Sequence, residues 1–495
     1  MKLQELLNGI PCEVNGSMTP ETDVTDVVYD TRRLPEDSSG MLFVCIVGFR
    51  ADGHDRAEEA YQKGVRLFAA QKPLSLPADA TVISAEDTRK FLALASANLF
   101  GRPAEKLFTV AITGTKGKTS TSFMLQSILN AAGIPTGVIG STGVYYGTHF
   151  EETGNTTPES YLLHRTYRQM LDAGCKAVVI EAASQGFKLH RTYGIRFDAG
   201  IFTNFAPDHI GPGEHADLEE YLACKKQIFP QSKRCYVNGN DPHFAEIVRG
   251  IDTPYTVYGV EKDVPLRATD PVFTTENHRL HTSFTARCGE ESFPVELGVP
   301  GVFSLSNAMA AIAVARDLNL PVSAMQQGLR EVRVRGRMEV LPIDKPFTVI
   351  IDAAHEEFGC RGLFETIHRY RPARILSVFG CGGNRSKLRR YGMGEVIGKN
   401  SDLSIITSDN SRLEKTEDII ADILVGMEPT GGKYEIIINR RQAIKHALRL
   451  AQPGDCILLI GKGHETYEDI GGKKTPFDEK QIVLDFIAAG MPQDS

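Results

Sequence analysis

The sequence predicts an α/β protein built on largely parallel sheets and divided into three parts, residues 1–105, 106–336 and 337–495. Three observations carry that expectation. Short apolar, β-branched runs recur between helix-length segments, the pattern of strands buried on both faces of a parallel sheet. One such run, residues 108–112, breaks into a glycine-rich turn and then a helical pattern. A chain of 495 residues is too long for one hydrophobic core, so two to four domains are expected.

The elements follow in order. Residues 1–10 read as an amphipathic helix start and not a signal peptide, because Gln4, Glu5 and Asn8 interrupt the apolar positions. Strand patterns lie at 24–29, 41–47, 66–70 and 81–84, and Gly101 to Ala104 reads as a linker. The middle part alternates strands at 108–112, 176–180, 199–202 and 234–237 with helices at 119–131 and 306–318. Beyond Arg337, strands are expected at 347–351, 375–379, 403–407, 435–438 and 456–460. Cys175 and Cys456 border apolar runs and are expected in the core.

Bulk composition excludes several classes. A net charge of −7 gives no drive toward nucleic acid or an anionic membrane, and no apolar run is long enough to span a bilayer. Nine scattered cysteines without ligand spacing point to reduced thiols and a cytoplasmic location. A monomer is expected.

The chemistry concentrates in loops. Gly114, Thr115, Lys116, Gly117, Lys118, Thr119 and Ser120 form a strand–glycine loop–helix unit, whose backbone N–H groups can approach a polyphosphate. Lys118 supplies a point charge and Thr119 a hydroxyl for Mg²⁺. The loop is shorter than the ordinary P-loop, with Ile112 where the first glycine would stand. Ligands in parallel sheets gather beyond the carboxyl ends of strands. There the sequence places Glu181, suited to Mg²⁺, then Thr203 and Asn204, Asp352 and His355, Gly380 to Arg385, Ser408 to Arg412, and Gly461 to Glu465. Lys387, Arg389 and Arg390 form a basic cluster suited to carboxylates, or else a solvated helix start. Asp208, His209, Glu214 and His215 lack the usual spacing of a structural zinc site.

In this order the motifs resemble the Mur ligases of peptidoglycan synthesis over nearly the whole chain, and most of all the branch that adds the third peptide residue. The resemblance implies an N-terminal domain for the UDP moiety, a central ATPase domain and a C-terminal Rossmann-like domain for the amino acid. It assigns the UDP substrate to Thr31 and Arg32, within a sequence similar to the family's Asp-Ser-Arg motif, and to Asn155, Thr156, Thr157, Ser184 and Arg191. Gly48 with Asp52, Gly53 and His54 resembles the glycine-rich partner of that motif. ATP falls to residues 114–120 with Asn307, Arg337 and Asp352; metal to Thr119, Glu181, His209 and Lys225. By the resemblance Lys225 carries a CO₂-derived carboxylate (N6-carboxylysine); by composition it is a surface helix lysine. Lys118, Glu181, Lys225, Arg337 and His355 are the implied catalytic set, although His355 reads equally well as a structural histidine. Arg390, Asp409, Asn410, Arg412, Gly461 and Glu465 are the implied amino-acid pocket.

The implied reaction is ATP-driven amide formation through an acyl phosphate on the D-Glu side chain of UDP-N-acetylmuramoyl-L-alanyl-D-glutamate, with domain closure on ATP binding. Arg412 and Arg390 favour meso-diaminopimelate over L-lysine, whose distal ammonium they would repel. The 208–215 loop and Lys116 look more like lysine-adding enzymes. Ser411, Gln185, Ala353, Glu357 with Phe358, and Ser386 depart from the family pattern, which leaves a divergent paralogue with another acceptor as an alternative. The rival readings are a folylpolyglutamate-type ligase on the same scaffold and a non-catalytic nucleotide-binding regulator or scaffold. A nucleic-acid-dependent ATPase would want a basic, aromatic face that the composition does not offer.

Overall fold

The computed structural model describes residues 1–48, 51–207, 210–211, 214–276 and 279–492. The chain divides into two compact units, residues 1–264 with 310–324, and residues 265–309 with 325–495. The expected middle part, 106–336, is therefore shared between them.

The first unit holds two sheets. The smaller runs, in spatial order, Glu13–Asn15, Thr81–Ser84, Leu67–Ala70, Met41–Val44 and Asp26–Val28, parallel except for the first strand. Helix Thr88–Leu99 covers it. Asp87 caps that helix by accepting from the N–H groups of Arg89 and Lys90, satisfying donors the first turn leaves open. Its Phe91, Leu92 and Ala95 pack with Leu42, Val44, Leu67 and Ile83.

The larger sheet of this unit runs Tyr255–Val260, Cys235–Asn238, Ala199–Phe202, Phe108–Thr113, Ala177–Glu181 and Thr136–Gly140, all parallel. Gly143–Tyr146 and His149–Glu151 then turn back antiparallel. Val110, Ala111 and Ile112 are wholly buried, as a central parallel strand requires. From Phe108–Thr113 the chain first moves out to Thr136–Gly140, returns to one side with Ala177–Glu181 and continues on the other with Ala199–Phe202. That reversal opens a crevice at the carboxyl end of Phe108–Thr113, where the glycine loop begins.

The second unit is centred on a sheet ordered Glu339–Val340, Thr348–Asp352, Cys456–Ile460, Ile375–Phe379, Leu403–Ile406 and Tyr434–Ile436, parallel beyond its antiparallel edge. A meander of Leu266–Glu276, Arg279–Cys288 and Glu291–Leu297 joins this unit, and sequence reading had no strands there. Its strands alternate buried and exposed positions and carry Thr, Arg and Glu, so no continuous apolar run betrays them. It belongs with the second unit because Thr282 Oγ1 and the Tyr370 hydroxyl share a short hydrogen bond and Leu280 packs against the core around Ile350 and Phe364.

Most expected strands fall within a residue or two of those observed. The linker at 101–104 enters a 3₁₀ turn, Pro103–Lys106, behind a left-handed Arg102. The expected 306–318 helix starts earlier, as Val302–Asp317. Cys175 and Cys456 are buried.

Candidate functional site

The glycine loop departs from strand Phe108–Thr113 at Gly114, which adopts φ +143°. A Cβ there would stand 1.9 Å from Thr203 Oγ1, so only glycine fits. Gly117, also left-handed, is the N-cap of helix Lys118–Ala131. The loop's outer edge is pinned from the next strand end. Thr115 and Lys116 donate their N–H groups to Asn204 O (2.9 Å) and Asn204 Oδ1 (2.8 Å), and Thr203 Oγ1 donates to Lys116 O (2.6 Å). Lys118 Nζ donates to Gly114 O at 2.8 Å and Thr115 O at 3.2 Å. The helix N-terminus, these glycines and this ammonium together form a concave, electropositive cradle suited to a polyphosphate.

Two further groups converge on it. Lys225, on helix Leu218–Lys226, is only 1% exposed, and its Nζ donates to Gly114 O at 2.8 Å over the ring of Tyr221. It is therefore not the surface lysine that composition suggests. Glu181, at the end of Ala177–Glu181, is equally buried and accepts from Ser141 N at 3.1 Å. Ser141 Oγ lies 3.2 Å from Thr119 Oγ1. Thr119, Ser141 and Glu181 thus present hard oxygen donors beside the cradle, a set that fits Mg²⁺. His209 lies outside the described residues. Ser120 follows on the first turn of the helix.

The expected UDP-substrate residues are placed in the same unit. Thr157 Oγ1 donates to Glu181 O (2.8 Å) and accepts from Ala183 N (2.9 Å), tying the Thr-Thr-Pro segment to the strand that carries Glu181. Arg191 donates to Thr157 O and Glu159, and Ser184 Oγ is hydrogen-bonded to His215 Nε2 at 2.9 Å. Asn155 is exposed and Thr156 half-buried. Thr31 and Arg32 follow strand Asp26–Val28 on a 3₁₀ turn capped by Asp30, with Thr31 buried and the Arg32 guanidinium exposed beside Asp30.

In the second unit the strand-end loops pack on one another. Asp352 accepts from Met338 N and Ala354 N, both at 2.8 Å, which fixes the segment carrying Arg337. His355 is exposed, its ring Nδ1 2.8 Å from Ala353 O. Asn307 is buried on helix Val302–Asp317. Gly383 meets the loop after Leu403–Ile406 so closely that a Cβ would stand 1.8 Å from Ser411 O. Arg412, left-handed at φ 53° and half-buried, donates through Nη1 to Gly383 O at 2.6 Å. Asn410 Nδ2 donates to Glu465 Oε2 at 2.7 Å, and Gly461 lies against Asp409.

The basic cluster splits. Arg390 is 1% exposed, and its two terminal nitrogens donate to Asp422 Oδ2 and Glu414 Oε1, each at 2.9 Å. Lys387 reaches the other oxygen of Asp422, at 3.0 Å. Arg390 therefore spends its charge inside the unit, while Arg412 keeps more of its surface.

Two groups escaped sequence reading. Lys462 is buried, donating to Asn410 Oδ1 at 3.0 Å and Tyr467 O at 2.9 Å, with Asp409 Oδ1 at 3.6 Å. Burial pushes the Asp409 carboxyl up, but Lys462 and Arg440 outweigh it and hold the group below its ordinary range. Burial and the charge of Asp409 raise Glu465. Arg440 is wholly buried and bridges Glu479 Oε1 (2.7 Å), Ser408 O (3.1 Å) and Ile460 O (2.9 Å), locking two strand ends together. The glycines on either side of Lys462, within the 461–465 strand-end segment, were its only local signal; Arg440 had none.

Comparison with known proteins gives a consistent answer. Three family descriptions match: "Mur ligase family, catalytic domain" over 35–99, "Mur ligase middle domain" over 112–315, and "Mur ligase, glutamate ligase domain" over 336–463. A UDP-N-acetylmuramoyl-L-alanyl-D-glutamate–2,6-diaminopimelate ligase of Clostridium perfringens is 38% identical, covering 98% of this chain and 99% of its own. The ligase of the same name from Clostridioides difficile is 35% identical, over 99% of this chain and all of its own. Among solved structures, one of a ligase with that name aligns over the full length of both chains with a TM-score of 0.71 at 24% identity. MurF of Thermotoga maritima, solved in complex with ADP, aligns over 95% of this chain and 98% of its own with a TM-score of 0.62 at 18% identity.

Proposed function

The chain belongs to the Mur ligase family of ATP-dependent, ADP-forming ligases, and from that footing we propose that it joins meso-diaminopimelate to UDP-N-acetylmuramoyl-L-alanyl-D-glutamate. One observation carries the ATP half of this reading: the Gly114 turn places the ammonium groups of Lys118 and Lys225 at a single carbonyl, with buried Glu181 alongside. Such a concentration of charge at a helix N-terminus suits the triphosphate, and the full-length relatives supply the substrate class.

The reaction brings together two anions, the D-Glu side-chain carboxylate and the γ-phosphate. The carboxylate attacks the γ-phosphorus, ADP leaves, and an amine then displaces phosphate from the acyl carbon. Lys118 and the loop N–H groups hold the phosphates, and Arg337 adds charge at the γ position. Asn307 and Asp352 complete the ATP set, and His355 has a positioning role. Thr119, Glu181, His209 and a carbamylated Lys225 would hold Mg²⁺, which when bound neutralises phosphate charge. Thr31, Arg32, Asn155, Thr156, Thr157, Ser184 and Arg191 take the UDP-linked substrate. The parts 1–105, 106–336 and 337–495 then serve the UDP moiety, ATP and the amino acid respectively.

For the amino acid, Arg412 suits the distal carboxylate, with Asp409, Asn410, Gly461 and Glu465 around the amino-acid group. Arg390 acts through Glu414, which also accepts from Asn384 N, and so positions the Gly380 to Arg385 loop. Among the described residues no helix is long and apolar enough to cross a membrane, and the cysteines are free thiols. A cytoplasmic location and a monomeric state belong to this proposed reading.

The decisive experiment offers purified protein ATP, Mg²⁺ and UDP-muramoyl-dipeptide with diaminopimelate, lysine or ornithine, and reads products by mass. A diaminopimelate tripeptide with stoichiometric ADP is expected. Lysine as the preferred acceptor would overturn the amino-acid assignment. Absence of every product would overturn the ligase reading.

A further inference from the structure

We propose that His215, Glu220 and Cys224 form a binding site for a zinc-class divalent cation, separate from the oxygen ligands of the glycine loop. One ring nitrogen, one carboxylate oxygen and one sulfur from these residues all lie within 4.8 Å of one another. His215 Nδ1 stands 3.8 Å from Glu220 Oε2, too far for a hydrogen bond and near the separation of two ligands on one ion. Bond lengths near 2.0–2.3 Å set tetrahedral ligand atoms about 3.3–3.6 Å apart, so the widest separation must shorten by at most about 1.5 Å, shared between two side chains, to close the shell.

The local sequence preorganises the three groups. Glu220 and Cys224 are four residues apart on helix Leu218–Lys226 and share a face. Asp217 caps that helix by accepting from Glu220 N, and Ala216 N donates to Glu220 Oε2 at 2.7 Å, which draws the preceding His215 against the same turn. The second layer is equally specific. Ser184 Oγ lies 2.9 Å from His215 Nε2, the outer hydrogen bond that a ligating imidazole normally makes. Lys188 Nζ holds Glu220 Oε1 at 2.7 Å, leaving Oε2 toward the imidazole. Both partners come from helix Ser184–Lys188.

Nitrogen, oxygen and sulfur in one set select a borderline metal such as Zn²⁺ over Mg²⁺. On binding, the Cys224 thiol gives its proton to solvent, a sulfur–metal bond forms, and water fills the fourth position. Glu220 is one-third exposed and Cys224 half-buried, so solvent reaches the site. Cys224 adjoins Lys225, so an ion here would clamp the helix that brings Lys225 to Gly114.

The test uses full-length, Mg²⁺-loaded protein titrated with Co²⁺. A thiolate-to-cobalt charge-transfer band in the near ultraviolet is expected, saturating at one equivalent and displaced by Zn²⁺ but not by excess Mg²⁺. It should vanish in Cys224→Ser and persist in Cys12→Ser, which removes the other half-buried thiol. Glu220→Gln should weaken the band's cobalt affinity at least tenfold, and it serves as the second variant if Cys224→Ser does not fold. No band at one equivalent, or a band that survives Cys224→Ser, overturns the site and leaves His215 and Glu220 as a plain ion pair. None of these readouts needs turnover, so failure here is distinct from failure of the ligase assignment.

Discussion

Lys118 and Lys225 donate to the same oxygen, the carbonyl of Gly114, each from 2.8 Å. Their nitrogens are thus at most twice that distance apart, where two like charges repel by about 3 kcal/mol at an effective dielectric near 20. Converting Lys225 to a carbamate would exchange that repulsion for attraction and would put a carboxylate at the Gly114 turn. The buried placement of Lys225 gives this chemistry a physical motive.

Lys225→Ala should therefore lose at least a hundredfold in ligase rate while keeping its fold, and added short carboxylic acids should restore part of it. Initial rates with and without acetate or formate, beside a circular dichroism spectrum, make the measurement. A Lys225→Ala enzyme of full activity without any acid would remove the carbamate from the mechanism.

How much of this was legible in sequence follows from range. The strand at 108–113 and the glycine loop were readable because strand, turn and helix signals are local. The strand ends bearing Glu181, Asp352 and Asp409 followed from the same logic. Long-range pairing was not readable. Lys387, Arg389 and Arg390 look alike on paper, and only the packing of Lys387–Asn400 beside Thr416–Met427 brings Asp422 to Arg390. Lys462 and Arg440 are buried cations, and each has a partner beyond any local pattern: Asn410 lies 52 residues from Lys462, and Ser408 lies 32 residues from Arg440. The 266–297 meander offers no unbroken apolar run, because its strands alternate buried and exposed positions.

Arg412 is the residue on which amino-acid choice should turn. Losing one charge-assisted hydrogen bond to a carboxylate costs about 1.5–3 kcal/mol, so Arg412→Ala should raise the KM for diaminopimelate about 10- to 100-fold. The KM values for ATP and the UDP-linked substrate should hold steady. Arg390→Ala should instead lower melting temperature, since it removes the buried guanidinium from Asp422 and Glu414. If the two variants exchange these phenotypes, Arg390 and not Arg412 meets the substrate.

Arg440 and Glu479 form an ion pair with side chains 0% and 1% exposed. Removing one member leaves the other charged and buried, a loss of about 3–5 kcal/mol. Arg440→Met and Glu479→Met should each show it in denaturant titrations that follow the second unit. The double variant should cost less than the two singles together, by about 2 kcal/mol or more. Strict additivity would mean that the pair is not coupled and that the strand ends are held by other contacts.

His164 should set the acid limit of the first unit. It lies on helix Ser160–Asp172, 2% exposed, beside a cavity of about 220 Å³ lined also by Arg102, Glu105, Arg196, Asp198 and Lys233. Neither ring nitrogen has a hydrogen-bond partner among the described residues. Burial, reinforced by the charge of Arg102, drives its pKa down from 6.5 to about 3. Between those values the unfolded chain binds a proton that the folded chain refuses. The stability tied to neutral His164 is therefore complete above pH 6.5 and drains away as pH falls toward 3, by at most about 1.4 kcal/mol per unit and on the order of 2 kcal/mol by pH 5. His164→Leu keeps an apolar body in the site and removes the proton acceptor. It should melt close to the parent at pH 8 and well above it at pH 5. A gap between parent and variant that stays constant across that range would show that His164 does not bind the proton that unfolds the unit.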